Sequence, residues 1–428
     1  MLGRSDTLYL GRSPFDAPVT IALPDRLRHL YLVGQTGTGK STLISNLIVQ
    51  DLHAGYGVGL IDPHGDLATQ LLAEIPPHRH EDVVWFDPGD ARHPPAFNLL
   101  GCLLEAAGGN ADLATSAIVT AFSSIWGDSW GPRLEYILAN ATRTLLEVDA
   151  SPRPTLLALP RLLTDTLYRD RIIHRLPDPL LHQFWEHEFD AWDKRYRQLA
   201  IAPVLNKVGR LLQNRLLRNV LGQPRVRWQP RELMDEGGIL LANLSIGRLG
   251  ADASGLLSAL LVSAFHLAAM GRANVDASRR RPFFLYVDEF QHAATASFSS
   301  ILSESRKYGL GLTLAHQYLA QADPRVLDAV FGNVGSLLTF RVGEIDAPQI
   351  AKAIGHYPPS HFSLLNNHEA IARVLTDGQP SKPQPLAMHP PIRTATGRPK
   401  RIIRRSRQRH GVSRPSIERN LRRWYDPK

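Results

Sequence analysis

The chain of 428 residues has a single cysteine, Cys102. No disulfide framework is possible, so the expected setting is a reducing, cytoplasmic one. The opening residues MLGRSDTLYLGRS lack the apolar run of a secretory leader. Long apolar runs are also missing. The longest, Gly255–Met270, is interrupted by Ser258, Ser263 and His266. It falls short of the roughly 20 residues that span a bilayer, so it reads as a buried helix. The expectation is a chain without a transmembrane segment of its own. Apolar content of 43% and charged content of 21% are those of a globular protein. The length calls for two or three domains.

Acidic residues are scarce at one end. Residues 381–428 hold three Lys and eleven Arg against Glu418 and Asp426, a net of +12. The whole chain carries +9, so everything before this segment sums to −3. A terminal block of one sign reads as a solvated arm for nucleic acid or an acidic surface. The alternative is a disordered solubilising tail. Within it, Ile417, Leu421 and Trp424 at i, i+4 and i+7 mark a short amphipathic helix that docks onto something.

Short apolar runs followed by turn signals mark strands at His29–Val33, Val58–Ile61, Val83–Phe86, Ile239–Leu244, Phe283–Val287, Leu310–Ala315, Leu337–Val342 and Ala370–Leu375. Most are apolar throughout, as strands covered on both faces are. Helical patterns at Ser41–Leu52, Gly255–Met270 and Ser297–Lys307 alternate with them, which gives an α/β fold with a mostly parallel sheet. No strand pattern occurs between about Leu100 and Glu236. Helical periodicity replaces it, clearest in Arg133–Glu147, where Leu134, Ile137, Leu138, Ala141, Leu145 and Leu146 share a face. This stretch reads as an all-α domain, 101–236, inserted into a sheet domain made of 1–100 and 237–380, with 381–428 as the basic tail.

The string GQTGTGKS, Gly34–Ser41, satisfies every fixed position of the G-x-x-x-x-G-K-[ST] phosphate loop, between a strand and a helix. Gly34, Gln35, Thr36, Gly37, Thr38 and Gly39 offer backbone N–H groups to phosphates, and the helix start at Lys40, Ser41 and Thr42 adds its positive dipole end. Lys40 reaches the β- and γ-phosphates and Ser41 gives a hydroxyl to Mg²⁺. The expected ligands are therefore ATP and Mg²⁺. The strand FFLYV ends in Asp288 and Glu289. Asp288 suits the metal and Glu289 the attacking water, as general base. Gln317, after the strand Leu310–Ala315, either orients that water or senses the γ-phosphate. Arg306 in SESRKYG reads either as a finger reaching a neighbouring subunit's nucleotide or as a cation at a helix C-terminus. Arg341, a charge inside an apolar strand, is the competing finger. In IDPHGDL, Asp62, His64 and Asp66 have weak metal-ligand spacing, and a structural role with Asp66 as N-cap is favoured.

GQTGTGKS, IDPHGD, FLYVDEFQ, SRKYGLGLTLAHQ and WGPRLEYILANATRTLLE, in this order, resemble the FtsK/HerA superfamily of ring-forming ATPases. Within it they are most similar to the coupling proteins of conjugation and type IV secretion, over roughly residues 25–376. The resemblance implies a RecA-like P-loop NTPase fold with an all-α insertion. It also implies a hexameric ring that moves DNA, with the residues above in the roles argued, and secretion-system or relaxase proteins as partners. Membrane coupling proteins of this type usually start with transmembrane helices, and HerA-like translocases with a β-barrel; only about 33 residues precede Gly34. The implied place is the cytoplasm, with peripheral association at the inner face of the membrane. Two competing readings remain, an ATPase that energises protein export or assembly and a nucleotide-gated recruitment module.

Overall fold

The computed structural model describes residues 6–295 and 297–425. They divide into two compact units. The first gathers the chain up to Phe86, Glu232–Asn243 and Arg272–Arg405. Its frame is an 11-stranded sheet. In chain order the strands are β1 (Thr7–Arg12), β2 (Pro18–Ala22), β3 (Leu30–Val33), β4 (Gly57–Asp62), β5 (Val83–Phe86), β6 (Ile239–Asn243), β7 (Phe283–Val287), β8 (Leu310–His316), β9 (Ser336–Thr339) and β10 (Glu369–Arg373). A two-stranded hairpin, β11 (Leu375–Thr376) and β12 (Gln379–Pro380), stands apart, and β13 (Gln384–Met388) returns to the main sheet. The order is β2-β1-β13-β10-β9-β3-β8-β7-β4-β6-β5.

Seven neighbours, β9 to β5, run parallel. The four strands at the other end pair antiparallel. Every residue of β3 to β9 is buried, as the uniformly apolar runs predict. From β3 the chain proceeds to β4 on one side, and from β8 it crosses to β9 on the other, so the loop after β3 lies where the winding reverses. Ligands of open α/β sheets bind at such a place. The helix Lys40–Ala54 packs Leu43, Leu47 and Ile48 into the core with Leu60, Leu241 and Tyr286. A buried pair fastens it: Arg26 bonds both Asp51 oxygens at 2.8 Å, and the Tyr286 hydroxyl donates to Asp51 at 2.7 Å.

The second unit gathers Asp87–Arg231, Leu244–Gly271 and the chain from Ser406 on, and among its described residues it is built of helices. The helix Pro132–Glu147 buries the six predicted apolar residues. The helix Ala251–Met270 is four residues longer than its apolar run and is, by length and composition, enough to cross a bilayer. Its residues from Ala253 to Ala269 are all buried within the protein, where such a helix belongs to a core.

The basic segment departs from the reading as a free arm. It contributes β13 and two helices, Pro399–His410 and Arg414–Tyr425, and buries Ile402 and Ile417. Before the helices, residues 389–397 strap the first unit. Asn46 donates to the His389 and Pro390 carbonyls and accepts from Ile392, and Glu74 accepts from the Thr394 and Ala395 N–H groups. The amphipathic helix does dock: Arg161 lies 5.3 Å over the Trp424 ring and donates to the Trp424 carbonyl at 3.0 Å. Asp426 and Lys428 lie outside the described residues.

Candidate active site

The strand β3 delivers the chain to Gly34, and the glycines are dictated by what surrounds them. A Cβ on Gly34 would lie 2.5 Å from the Phe340 Cβ. Gly37 and Gly39 take φ of 79° and 116°, the left-handed region that excludes most side chains. Gly39 ends in the N-cap position of the helix Lys40–Ala54. The loop is held from both neighbouring strands: Gly34 N–H donates to the His316 carbonyl and Gln35 N–H to the Arg341 carbonyl. The Thr38 hydroxyl closes it by donating to the Gln35 carbonyl at 2.7 Å.

Lys40 is buried, and its ammonium donates to the Gly34 and Gln35 carbonyls. Burial holds its pKa below the usual lysine range, while Glu289 and Asp288 pull it back up. Those two carboxylates sit at the end of β7, each 5% exposed. Burial, then the charges of Glu289 and Asp62, raise the Asp288 pKa to about 6, against the opposing pull of Lys40. Glu289 has φ of 48°, an unfavourable backbone state for a non-glycine residue. This turn aims its carboxylate: Oε1 accepts from Gln317 at 2.5 Å and Oε2 from Gln291 at 2.8 Å. Gln317 in turn accepts from the Thr36 hydroxyl at 3.0 Å. A chain of hydrogen bonds therefore runs from Glu289 through Gln317 to the phosphate loop.

These residues share a cavity of about 220 Å³, lined among others by Thr36, Lys40, Ser41, Asp288, Glu289 and Gln317. A second cavity of about 270 Å³ continues past Ser41, Thr42 and Asp288 to Asp66 and Arg393. A glycine cradle at a helix N-terminus, a buried ammonium and a hydroxyl beside a buried carboxylate fit a Mg²⁺–nucleoside triphosphate. The high affinity of Asp288 for a proton marks a carboxylate short of a cation.

The two finger candidates separate. Arg341 lies just past β9 beside the loop of its own chain. It donates to Gln35 at 3.3 Å, to the Leu365 carbonyl at 3.4 Å and to Asn367 at 3.0 Å. Arg306 is exposed, in the turn Ser305–Tyr308 before β8. Since Val33 pairs with His316 at the loop end, Arg306 stands at the other end of β8, roughly 20 Å away at about 3.3 Å per residue. The structure thus does not bring Arg306 to its own chain's site.

Asp62 is wholly buried and caps the turn after β4: its oxygens accept from the His64 and Ala68 N–H groups, each at 2.9 Å. The N-cap falls on Gly65, not Asp66, because a Cβ at that position would lie 2.2 Å from the Asn243 oxygen. Asp66 is the first residue inside the helix. Three further site residues were given no role by the sequence, although Gln291 and His316 fall inside the strings FLYVDEFQ and SRKYGLGLTLAHQ. His368 comes from the start of β10 and donates its N–H to the Thr38 carbonyl; Gln291 holds Glu289; His316 is buried behind Lys40. Burial and the charge of Lys40 lower the His316 pKa to about 4, so it is neutral, with Nδ1 at 3.0 Å from the Tyr31 hydroxyl.

Residues 8–106 match the family described as Helicase HerA, central domain. Among solved structures, the chain is similar to the bacterial conjugative coupling protein TrwB, with 16% identity, a TM-score of 0.64 and 92% of each chain covered. The ADP and Mg²⁺ complex of that plasmid coupling protein gives 17% identity and a TM-score of 0.59, covering 91% of this chain and 92% of the other. VirB4 of Thermoanaerobacter pseudethanolicus gives 15% and 0.58, covering 90% of this chain and 98% of its own. No curated protein matches. The chain has the RecA-like P-loop NTPase fold of the conjugative coupling proteins, a large and mostly parallel sheet with helices, and residues 8–106 carry the HerA central-domain signature.

Proposed function

We propose that this chain is an ATPase motor of the conjugation and secretion type that works as a homo-oligomeric, hexameric ring and moves DNA. The observation that carries the reading is the convergence of Lys40, Ser41, Asp288, Glu289 and Gln317 on one cavity at the phosphate loop. Solved complexes of TrwB with an ATP analogue and with ADP and Mg²⁺ support the choice of nucleotide and metal.

Lys40 leaves the Gly34 and Gln35 carbonyls and turns to the β- and γ-phosphates. Ser41 and Asp288 would hold Mg²⁺, which would supply positive charge to the phosphate oxygens. Glu289 takes a proton from the attacking water, and Gln317, bonded to both Glu289 and the loop, registers whether the γ-phosphate is present. Arg306 completes the neighbouring protomer's site, because its own lies too far away. Relaxase or secretion-system proteins are the proposed partners, at the cytoplasmic face of the membrane.

The test is hydrolysis rate against protein concentration, with single-stranded, double-stranded and no DNA. The expected result is a rate per protomer that rises with concentration and with DNA, and a Glu289→Gln variant that binds ATP without turning it over. A rate indifferent to DNA overturns the motor reading. Absence of Mg²⁺–ADP binding overturns the nucleotide reading.

A further inference from the structure

The cavity at the phosphate loop measures about 220 Å³ and its neighbour about 270 Å³. Each is below the roughly 300 Å³ at which small-molecule sites begin. Ser41, Thr42, His64 and Asp288 line both, so the two are halves of one space. The halves differ in chemistry. Lys40, Glu289 and Gln317, the groups suited to a γ-phosphate, line only the first. Leu67, Gln70, Pro391 and Arg393 line only the second. A triphosphate whose γ end faces Glu289 therefore directs its other end along the helix start, past Thr42, into the second half.

One wall of that half is the strap 389–397, and its two lining residues are pinned on either side. Asn46 is buried one turn after Thr42 in the same helix. It holds the His389 and Pro390 carbonyls and the Ile392 N–H, which flank Pro391. Glu74, also buried, accepts from the Thr394 N–H at 2.6 Å and the Ala395 N–H at 3.1 Å, just after Arg393. Gly397 closes the strap. Its N–H donates to the Ala73 carbonyl at 2.8 Å, and a Cβ there would collide with the Leu72 carbonyl oxygen. Arg393 itself is held by its edge. With the Gln70 amide oriented so that its oxygen faces the guanidinium, both Nη atoms donate to it, Nη2 at 2.7 Å. Nη1 also lies 3.6 Å from Glu74 Oε1. A guanidinium engaged along its edge keeps its flat faces open, and such a face stacks on an aromatic ring system.

We infer that the second half seats the nucleoside of the bound nucleotide, with the base stacked on the Arg393 guanidinium and against Pro391 and Leu67. Asp66, exposed on the same wall, accepts from a ribose hydroxyl. A phosphate is the other group an arginine takes. Gln70 and Glu74 already use the Nη donors that a bidentate phosphate contact needs, so the base fits better. The inference rests on the Mg²⁺–nucleotide reading of the phosphate loop and adds the strap to that site.

The experiment is isothermal titration of the full chain with Mg²⁺–ADP and with Mg²⁺–tripolyphosphate, which has the phosphates and no nucleoside. In Arg393→Ala the affinity for Mg²⁺–ADP falls by about fivefold or more, and that for Mg²⁺–tripolyphosphate is unchanged. Arg393→Lys restores the charge without the flat face and behaves as Arg393→Ala does. An equal loss for both ligands, or rescue of Mg²⁺–ADP affinity by the lysine, makes Arg393 a phosphate contact and overturns the base assignment. Mg²⁺–ADP affinity unchanged in both variants overturns the nucleoside site alone, and the nucleotide reading stands on the wild-type affinity. Wild type that binds neither ligand removes the reading on which the site rests.

Discussion

Arg306 and Arg341 flank two strands of the same sheet, at opposite ends, and face opposite fates. Arg341 sits at the loop end of β9 and spends its guanidinium on Gln35, Leu365 and Asn367. Arg306 sits at the far end of β8, exposed, with no side-chain bond to a described residue. A cation that braces its own loop is already in use. A cation at the opposite strand end, with no side-chain hydrogen bond to a described residue, is placed to serve another chain. The position of each along its strand, rather than its neighbours in sequence, separates a brace from a finger.

The largest effect is expected from Arg306→Ala. Turnover falls by roughly 10³–10⁵, the usual worth of a phosphoryl-transfer finger, while Mg²⁺–ADP binding measured by titration stays within twofold. A variant that keeps wild-type turnover erases the contrast.

Arg341→Ala should do the reverse on a smaller scale. It removes one bond of 3.0 Å and two longer ones around Gln35, each worth about 0.5–1.5 kcal/mol at most. Nucleotide affinity drops by roughly tenfold and kcat changes little. A collapse of kcat with affinity intact would exchange the roles of the two arginines.

A third effect is on stability, at Asp288. The Asp288 pKa is raised in the folded state to about 6, from an ordinary value near 3.8. Folded protein then holds its proton more tightly than unfolded protein does. Between pH of about 4 and about 6, the stability of the nucleotide-free chain falls as pH rises, and by pH 7 the loss is on the order of 2–3 kcal/mol. Asp288→Asn should remove this dependence. Scanning calorimetry at pH 7 without nucleotide should show a midpoint several degrees above wild type, and added Mg²⁺–ADP should no longer raise it fully. An unchanged or lower midpoint contradicts the reading of Asp288 as a carboxylate short of a cation.

The parallel half of the sheet was legible because its strands are covered on both faces. Phe283–Val287 and Val83–Phe86 are apolar at every position and appear where the sequence places them. Of the antiparallel half only β10 was, as the run Ala370–Leu375. Strands β1 and β2 alternate buried with exposed residues, and β13 carries Pro385 inside a stretch dominated by proline and basic residues. Its partners on β10 lie 12–18 residues away and those on β1 about 375, and no local pattern encodes the pairing. The phosphate loop and the Asp288–Glu289 pair were plain, since spacing alone specifies them. His368 was not, because only the fold brings it to the loop, and Gln291, though the last residue of FLYVDEFQ, had no role until the turn after β7 set it against Glu289. The basic segment misled for a simple reason: net charge says nothing of the two isoleucines, Ile402 and Ile417, that anchor its helices.

The most direct test of a shared site uses two inactive proteins. Glu289→Gln lacks the base and keeps the finger; Arg306→Ala lacks the finger and keeps the base. Mixed in equal amounts with DNA and Mg²⁺–ATP, they should recover a clear fraction of wild-type hydrolysis, because some interfaces then unite an intact Glu289 with a neighbour's Arg306. A mixture as inactive as its two components, under conditions where wild type turns over and mixed oligomers form, contradicts the account.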